Sequence, residues 1–306
     1  MPGMPEDPPQ EPSVQVPTLY CYRHPDEETR IKCTRCGRPI CPSCMIPAPV
    51  GYQCPECVRE ARRAFRMGPG RRARTLTGLS ATNLLLVAIV AMFVVEILVS
   101  SGRILGVGLP NKTAFDLGAL FPPAIAGIGP FHTHQYWRLF TAMFLHASLL
   151  HIALNGYALW LFGQFVENAF GRLRFFLIYF VTGFLASVSS YTFGPVGELG
   201  VGASGAIVGL LGAFIAYNFR RRHLSLARGH LRWAVMIIAI NVVFGAAFQG
   251  IDNWAHGGGL VAGLFAGTFA EGVGRRPFRE ASRVLGFVAL IVLGVVLTAW
   301  RTSVLS

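Results

Sequence analysis

The sequence has few charged residues for its length. Charged side chains make up 14% of its 306 residues, whereas a soluble globular domain carries about 25%. Acidic residues are the scarcer kind, with 15 Asp and Glu against 27 Lys and Arg. Hydrophobic residues account for 53% of the chain, and the mean hydropathy is +0.49. This composition excludes an ordinary soluble domain and favours a membrane protein.

Several hydrophobic runs are long enough to cross a bilayer as helices. We expect spans at 79–99, 143–164, 173–192, 204–219, 233–249, 254–271 and 284–300. Helices and closed barrels are the structures that satisfy every backbone polar group in lipid. The predicted fold class is therefore an all-α polytopic membrane protein.

The basic residues are distributed unevenly between the segments that join these spans. If the segments alternate sides, one side receives 18 of the 27 Lys and Arg. The other side receives only Arg103, Lys112, Arg138 and Arg301. By the positive-inside rule we expect a multi-pass protein of the cell membrane with a cytoplasmic N-terminus and an outside C-terminus. The same distribution argues against nucleic-acid binding, despite a net charge of +12.

The segment before the first span has two polar parts. Residues 1–18 are rich in proline and lack the basic start and apolar core of a signal peptide, so we expect a disordered tail. Residues 59–78 contain seven arginines and a Gly-Pro-Gly break, which predict a flexible basic linker. Such a linker is suited to contact with anionic membrane lipids.

All seven cysteines lie in one short segment and combine with a histidine into four pairs with two-residue gaps. The pairs are Cys21 and His24, Cys33 and Cys36, Cys41 and Cys44, and Cys54 and Cys57. Eight such ligands are enough for two tetrahedral zinc ions with no open coordination position, which indicates structural zinc. An odd number of thiols in a reducing compartment argues against a disulfide scaffold.

Residues 19–58 resemble a B-box-like zinc finger, in which two metal sites are interleaved. The resemblance implies that Cys21, His24, Cys41 and Cys44 hold one ion and that the other four cysteines hold the second. A sequential pairing fits the same spacings and stays open. Modules of this size bind partner proteins or stabilise a fold that has no large core of its own.

Polar residues inside spans are costly and are functional candidates by default. They are His146, His151 and Asn155 in the second span, residues 202–205 in the fourth, residues 252–256 in the sixth, and Glu96 in the first. Each set taken alone is also explained by helix packing or interhelical hydrogen bonds. The arginine distribution, however, runs the second, fourth and sixth spans inwards, so their polar sets lie at one depth near the outer face. We assign no role to Glu96.

The fourth and sixth spans carry glycines at helical spacing. They are Gly205, Gly209 and Gly212 in the fourth span and Gly259, Gly263 and Gly267 in the sixth. Small residues allow two helix backbones to approach closely. We therefore expect these two spans to be in contact, which a short serine side chain and a histidine base require.

From about residue 79 to residue 271 the chain resembles the rhomboid family of intramembrane serine proteases. The matching strings are Trp137-Arg138, HASLLHIALN at 146–155, GASGA at 202–206 and AHGGGLVAG at 255–263, together with Glu167 and Gly171. The resemblance implies a six-helix protease core over 79–271, followed by a loop and a seventh membrane helix over 272–306.

The resemblance also implies a serine endopeptidase that cleaves the transmembrane segments of other membrane proteins without a catalytic cofactor. Ser204 would be the nucleophile and His256 its base. The oxyanion would be bound by the Ser204 backbone N–H and by His151 and Asn155, and Gly202 would help to position the substrate.

Two alternatives and one neighbouring residue complete the interpretation. A catalytically inactive relative that binds membrane clients is the main alternative, although such relatives typically lack the serine or the histidine. A transporter would require an internal repeat, and the spans show none. Asp252 precedes His256 by four residues, but we expect it to be a helix N-cap rather than a third catalytic residue.

Overall fold

A computed structural model of the chain describes residues 19–48, 50–66, 80–247, 250–274 and 276–306. The chain divides into two compact units, Met1–Arg72 and Ala73–Ser306. The expected disordered tail at 1–18 and residues 67–79 of the expected linker lie outside the described residues.

The first unit consists of two small antiparallel sheets and one helix. The elements are β1 (Leu19–Tyr20) paired with β2 (Glu28–Thr29), β3 (Ile46–Pro47) paired with β4 (Tyr52–Gln53), and α1 (Pro55–Arg66). Its buried apolar cluster is made of six cysteines and Ile40. A core this small does not stabilise a fold without additional cross-links.

Helix α1 extends into the segment that we expected to be a linker. It begins at Pro55, where a missing N–H costs nothing, and continues to Arg66. Residues 59–66 are therefore helical, and the prediction of a flexible linker is wrong for them. Arginine, alanine and glutamate, which make up most of this stretch, are strong helix formers.

The second unit is all helical apart from its loops. Its helices are α2 (Ala81–Val99), α3 (Asn111–Asp116), α4 (Pro122–Ala126), α5 (Arg138–Thr141), α6 (Leu149–Phe170), α7 (Arg172–Phe193), α8 (Ser204–Phe219), α9 (Ser225–Ala247), α10 (Asn253–Glu271) and α11 (Arg279–Leu305). Within the described residues, α2, α6, α7, α9 and α11 are long and apolar enough to cross a membrane, and α8 is a shorter apolar helix. The predicted all-α polytopic membrane fold is confirmed.

The second predicted span begins later than its hydropathy suggested. A 3-10 turn covers Ala142–Phe144, and α6 begins only at Leu149, because the side chain of Ser148 accepts a hydrogen bond from the backbone N–H of His151 and caps the helix. His146 therefore precedes the helix instead of lying inside it. Hydropathy does not register this bend, since the residues around it are apolar.

Helix α8 lies among four other helices. It packs against α6, α7, α9 and α10, and its contact with α10 is the most extensive. At the C-terminal ends of α8 and α10, Glu271 forms ion pairs with Arg220 at 3.1 Å and with Arg221 at 2.5 Å. The two helices are thereby joined at the end opposite Ser204.

The first membrane helix is capped by a side chain from α6. The carboxylate of Glu167 accepts hydrogen bonds from the Ala81 N–H at 2.8 Å, the Thr82 N–H at 2.9 Å and the Thr82 hydroxyl at 2.8 Å. A negative charge is also favourable at the positive end of the helix dipole. Glu167 thus satisfies donors that α2 cannot satisfy by itself.

A buried arginine organises the long segment between α2 and α6. Arg138 donates from Nη1 to the carbonyl oxygens of Phe115 at 2.8 Å and Ala119 at 2.9 Å. Its guanidinium group also stacks on the rings of Phe115 and Trp137, 4.0 and 4.7 Å from their centroids. Arg138 therefore joins α5 to the segment around α3.

Candidate active site

Ser204 is the first residue of α8. The preceding Ala203 offers no side-chain acceptor to the helix, so the first N–H groups are available to another acceptor. The helix dipole adds partial positive charge at this end. The Ser204 hydroxyl, which is half-buried, therefore lies beside backbone groups suited to a developing negative charge.

His151 points towards this serine from the first turn of α6. Its Nδ1 accepts a hydrogen bond from the Ala147 N–H at 3.2 Å. A neutral imidazole that accepts at Nδ1 carries its proton on Nε2. A β-carbon added to Gly202 would lie 2.9 Å from His151 Nε2 and 3.5 Å from Ser204 Oγ. The N–H donor of His151 and the serine hydroxyl thus border the same small space.

Only glycine fits at position 202, because it leaves that space open. Its φ of +133° is one that residues with side chains rarely adopt, and a β-carbon would collide with the His151 ring. The Gly202 N–H donates to the Ala142 carbonyl at 2.9 Å. Gly200, two residues earlier, exchanges two backbone hydrogen bonds of 2.9 Å with Leu120. The irregular segment before Ser204 is therefore held at two points.

Asn155 follows His151 by one helical turn on the same face of α6. Its side chain is 6% exposed, and its Nδ2 has no hydrogen-bond partner within the described residues. Buried side-chain donors are nearly always satisfied in native proteins, so an unpaired one requires an explanation. The Asn155 side-chain amide is therefore available to donate a hydrogen bond to a ligand.

His256 lies in the first turn of α10, and Asp252 caps that helix. The Asp252 Oδ1 accepts from the Ala255 N–H at 2.8 Å, which confirms the predicted N-cap. Its Oδ2 accepts from the Ser190 hydroxyl at 2.5 Å. Both oxygens of Asp252 are therefore engaged away from the imidazole of His256.

The backbones of α8 and α10 meet at the glycines, as predicted. A β-carbon on Gly263 would lie 2.8 Å from the carbonyl carbon of Gly209, and one on Gly267 would lie 2.7 Å from Ala213 Cα. At the site end, a β-carbon on Gly205 would lie 3.6 Å from the Ala255 carbonyl oxygen. The residue after Ser204 thus adjoins the residue before His256.

The structure brings the candidate serine and histidine to neighbouring helix ends without joining them directly. In the described part of the chain, no hydrogen bond links the Ser204 hydroxyl to His256. Catalytic hydrogen bonds are often long in the absence of substrate and shorten in the complex. A cavity of about 30 Å³ adjoins Ser204, with Ser190 and Asp252 in its wall, and is large enough for a water molecule.

The eight cysteine and histidine residues of the first unit form two groups. One group is Cys21, His24, Cys41 and Cys44, and the other is Cys33, Cys36, Cys54 and Cys57. Within each group all ligand atoms lie within 4.8 Å of one another. This is the interleaved grouping, which the spacings alone left open.

The separations within the groups are those of tetrahedral sites. His24 Nδ1 lies 3.2 Å from Cys41 Sγ and 3.4 Å from Cys44 Sγ, and the Sγ atoms of Cys36 and Cys54 are 3.8 Å apart. With Zn–S bonds of about 2.3 Å, two ligand atoms of a tetrahedron lie about 3.8 Å apart. The donor set of sulfur and imidazole nitrogen therefore fits zinc.

Arg38 adds an electrostatic preference to the second group. The hydrogen bond from the Arg38 side chain lowers the pKa of the Cys36 thiol most, and the hydrogen bond from the Arg38 backbone lowers it further. The Nε atom of Arg38 lies 3.3 Å from the Cys36 sulfur. A lower pKa favours the thiolate, which is the form that binds a metal ion.

Some residues around the site were not predicted from the sequence. Ser148 caps the helix that carries His151, and a serine three residues before it is a recognisable N-cap signal. Ser190 holds Asp252 from α7, and no local pattern signals a contact between residues so distant in sequence. Glu96 stands out in the sequence as an acid inside a span, but its contact with the segment before α6 has no local signal.

These features define a polytopic helical membrane protein in which a serine, two histidines and an asparagine converge at the N-terminal ends of α6, α8 and α10. Residues 133–271 match the family model of the rhomboid domain, and these four residues lie within the match. Over this region the chain is similar to the rhomboid family.

Several curated relatives are similar to the chain over part of its length. Rhomboid protease GluP of Bacillus subtilis (strain 168) is 40% identical over 163 residues, which are 53% of this chain and 31% of that protein. RHOMBOID-like protein 1 of Arabidopsis thaliana is 38% identical over 137 residues, covering 44% of this chain and 35% of the relative. RHOMBOID-like protein 6, mitochondrial, of Arabidopsis thaliana is 37% identical over 166 residues, with 52% and 50% covered. The matches span about a third to a half of the length of these relatives.

Proposed function

We propose that the chain is an intramembrane serine endopeptidase that hydrolyses peptide bonds in or near the transmembrane segments of other proteins. The proposal is carried by the arrangement around Gly202, where the Nε2–H of His151 and the hydroxyl of Ser204 border one space. Acyl transfer requires room for the substrate's carbonyl oxygen beside both a nucleophile and a fixed hydrogen-bond donor.

In this mechanism Ser204 attacks the scissile carbonyl carbon while His256 takes the hydroxyl proton. The carbonyl oxygen becomes negatively charged and accepts hydrogen bonds from the Ser204 N–H, His151 Nε2 and Asn155 Nδ2. Collapse of the tetrahedral intermediate breaks the peptide bond, and His256 gives its proton to the leaving amine. Water then attacks the acyl-enzyme while His256 takes one of its protons, and His256 returns that proton to Ser204 Oγ as the ester bond breaks and the carboxylic acid product leaves.

Asp252 has no catalytic role in this proposal. Its two oxygens are occupied by the Ala255 N–H and the Ser190 hydroxyl, so the pair Ser204 and His256 works as a dyad. The role of Asp252 is to hold the start of α10 against α7.

The protein is a multi-pass membrane protein, and we propose that its site opens towards the outer face. The basic segments favour a cytoplasmic N-terminus and an outside C-terminus, which directs the N-terminal ends of α6, α8 and α10 outwards. Substrates are then cleaved near the outer side of the membrane. Reporter fusions after α10 and after α11 test this topology, because only the latter should be active outside the cell.

Labelling with a fluorophosphonate probe tests the nucleophile. The wild type should react and cleave a model transmembrane substrate, and Ser204→Ala should do neither. The control Ser303→Ala removes a hydroxyl from α11, which bonds only within its own helix, and should behave as wild type. Absence of labelling in a wild-type sample that is folded would instead favour an inactive relative that binds membrane clients.

The first unit is proposed to hold two structural zinc ions. Cys21, His24, Cys41 and Cys44 would bind one ion, and the remaining four cysteines would bind the other. Closed four-ligand sites supply folding energy and no chemistry, and they would replace the large core that this unit lacks. The unit would then present a stable surface to a protein partner.

Metal analysis of the purified full chain tests this assignment. The wild type should contain two zinc ions per chain, and Cys33→Ser should lose one while retaining the other. A sequential pairing is refuted if Cys21→Ser and Cys44→Ser affect the same single ion, and a content of one ion or none in the wild type refutes the eight-ligand set.

A further inference from the structure

A buried carboxyl group on α2 lies behind the candidate site and has no part in the mechanism above. Glu96 is fully buried, and its Oε1 accepts a hydrogen bond of 2.9 Å from the backbone N–H of His146. Within the described residues, the ion pairs do not include Glu96. A carboxylate without a cation is strongly disfavoured inside a membrane helix, which favours the neutral carboxylic acid at this position.

Two polar atoms next to this hydrogen bond are buried without a partner in the described part of the chain. They are Glu96 Oε2 and His146 Nε2. The Nδ1 of His146 lies 3.2 Å from the Phe144 carbonyl oxygen, which only accepts, so Nδ1 carries the proton and Nε2 is an acceptor. A neutral carboxyl group has one O–H to donate. One residue thus lacks an acceptor and the other lacks a donor.

Unpaired buried atoms of complementary character indicate a bridging water. Buried waters typically make about three hydrogen bonds to polar groups that would otherwise be unsatisfied. A single water between Glu96 Oε2 and His146 Nε2 accepts from the acid and donates to the imidazole. The backbone N–H of His146 is already bonded to Glu96 Oε1, so the two residues are neighbours.

The segment that Glu96 holds also orients His151. Ala147 donates to His151 Nδ1 at 3.2 Å, and the Ser148 hydroxyl accepts from the His151 N–H at 3.2 Å. The ring of His146 packs edge-on against the ring of His151, with centroids 5.3 Å apart and planes at 67°. Three consecutive residues, 146–148, therefore determine where the His151 imidazole points.

We propose that Glu96 is a positioning residue for the active site: its neutral carboxyl group, bridged by a buried water to His146, fixes residues 146–148 and so aims His151 at Ser204. The inference rests on the proposed function for the role of His151, but the arrangement of Glu96 itself does not. Glu96 does not touch substrate in this scheme and acts through His146.

Two substitutions separate positioning from charge. Glutamine retains an acceptor for the His146 N–H and a donor for the water, so Glu96→Gln should keep kcat for a transmembrane substrate within about 3-fold of wild type. Leucine retains neither, so Glu96→Leu should lower kcat by about 10- to 100-fold, because loss of one oxyanion donor costs about 10²–10³. KM should change little, since bulk substrate binding is not touched. Val95→Leu, at a neighbouring exposed position of the same helix, serves as the control and should match wild type.

A spectroscopic measurement tests the same proposal without relying on cleavage. The infrared spectrum of the full chain should contain the carbonyl band of a buried protonated carboxylic acid that is absent from Glu96→Gln. Nitrogen NMR of labelled histidine should show His151 protonated at Nε2 in wild type and Glu96→Gln and altered in Glu96→Leu.

These results decide separately on the two ideas. If Ser204→Ala still cleaves, the proposed function fails, and the infrared and NMR signals still decide the arrangement of Glu96. The positioning role is overturned if Glu96→Leu keeps wild-type kcat and His151 signals. The claim that Glu96 acts as a neutral acid is overturned if Glu96→Gln is as impaired as Glu96→Leu or if the infrared band of the protonated acid is missing.

Discussion

A single methyl group placed between α8 and α10 should test the contact that brings Ser204 and His256 together. In Gly263→Ala the new β-carbon would lie 2.8 Å from the carbonyl carbon and 2.9 Å from the Cα of Gly209. The new β-carbon would also overlap the Gly209 carbonyl oxygen, which is nearer still. Ordinary contacts begin at 3.4 Å, so the helices must separate by more than 0.6 Å, the difference between 3.4 and 2.8 Å. The obstacle is backbone, which cannot rotate away as a side chain does.

A matched variant removes the effect of helix propensity. Gly229 lies in α9 and has no atom within 4 Å of an added β-carbon. Both Gly263→Ala and Gly229→Ala gain the roughly 1 kcal/mol by which alanine exceeds glycine in a helix. Their difference isolates the overpacking, which should cost Gly263→Ala about 1–3 kcal/mol of unfolding free energy.

The activity should respond more strongly than the stability. Displacing catalytic groups by about 1 Å costs on the order of 10²-fold in rate, so a shift of α10 by more than 0.6 Å should reduce kcat by at least about 10-fold. Thermal unfolding in detergent and cleavage of a transmembrane substrate measure the two effects. The reasoning is refuted if Gly263→Ala is as stable and as active as Gly229→Ala.

Three further substitutions test other contacts of the same unit. Glu167→Ala should lower the unfolding free energy by about 2–3 kcal/mol, because it leaves the N–H groups of Ala81 and Thr82 without their charged acceptor; an unchanged melting temperature would contradict the capping role. Arg138→Lys should lower both stability and activity, since a lysine cannot donate to two carbonyls from one planar group while stacking on rings; wild-type behaviour would show that its charge alone suffices. Asp252→Asn should keep activity within about 3-fold of wild type, whereas the same change in a serine–histidine–aspartate triad costs about 10⁴; a loss of that size in cleavage assays would make Asp252 a catalytic residue.

Five of the seven expected spans coincide with described helices that are long and apolar enough to cross a membrane, because long apolar runs have few alternatives in lipid. The other two coincide with α8, which is a shorter apolar helix, and with α10. The glycine contact between α8 and α10 and the N-cap at Asp252 also followed from the sequence, since both depend on local spacing. The start of α6 was wrong by six residues, because apolar residues continue through the turn at 142–145 and hide the cap at Ser148.

Contacts between distant residues were beyond the reach of local patterns. Glu96 and His146 are separated by 50 positions, and Ser190 and Asp252 by 62. Neither pair has a periodicity or motif that predicts its partner. The role of Gly202 was implied by resemblance, but its physical cause is the ring of His151, which is near Gly202 only in the folded chain.

The cap that Glu167 places on α2 has a consequence for how the chain is assembled. The first membrane helix emerges from the ribosome 86 residues before the carboxylate that completes it, with unsatisfied donors at its N-terminal end. Until α6 is inserted beside it, those donors depend on water or lipid headgroups, which keeps α2 near the bilayer surface at that end and free to move. Once Glu167 is in place these donors are satisfied, so we expect α2 and α6 to pair during biogenesis before α8 and α10 have been made.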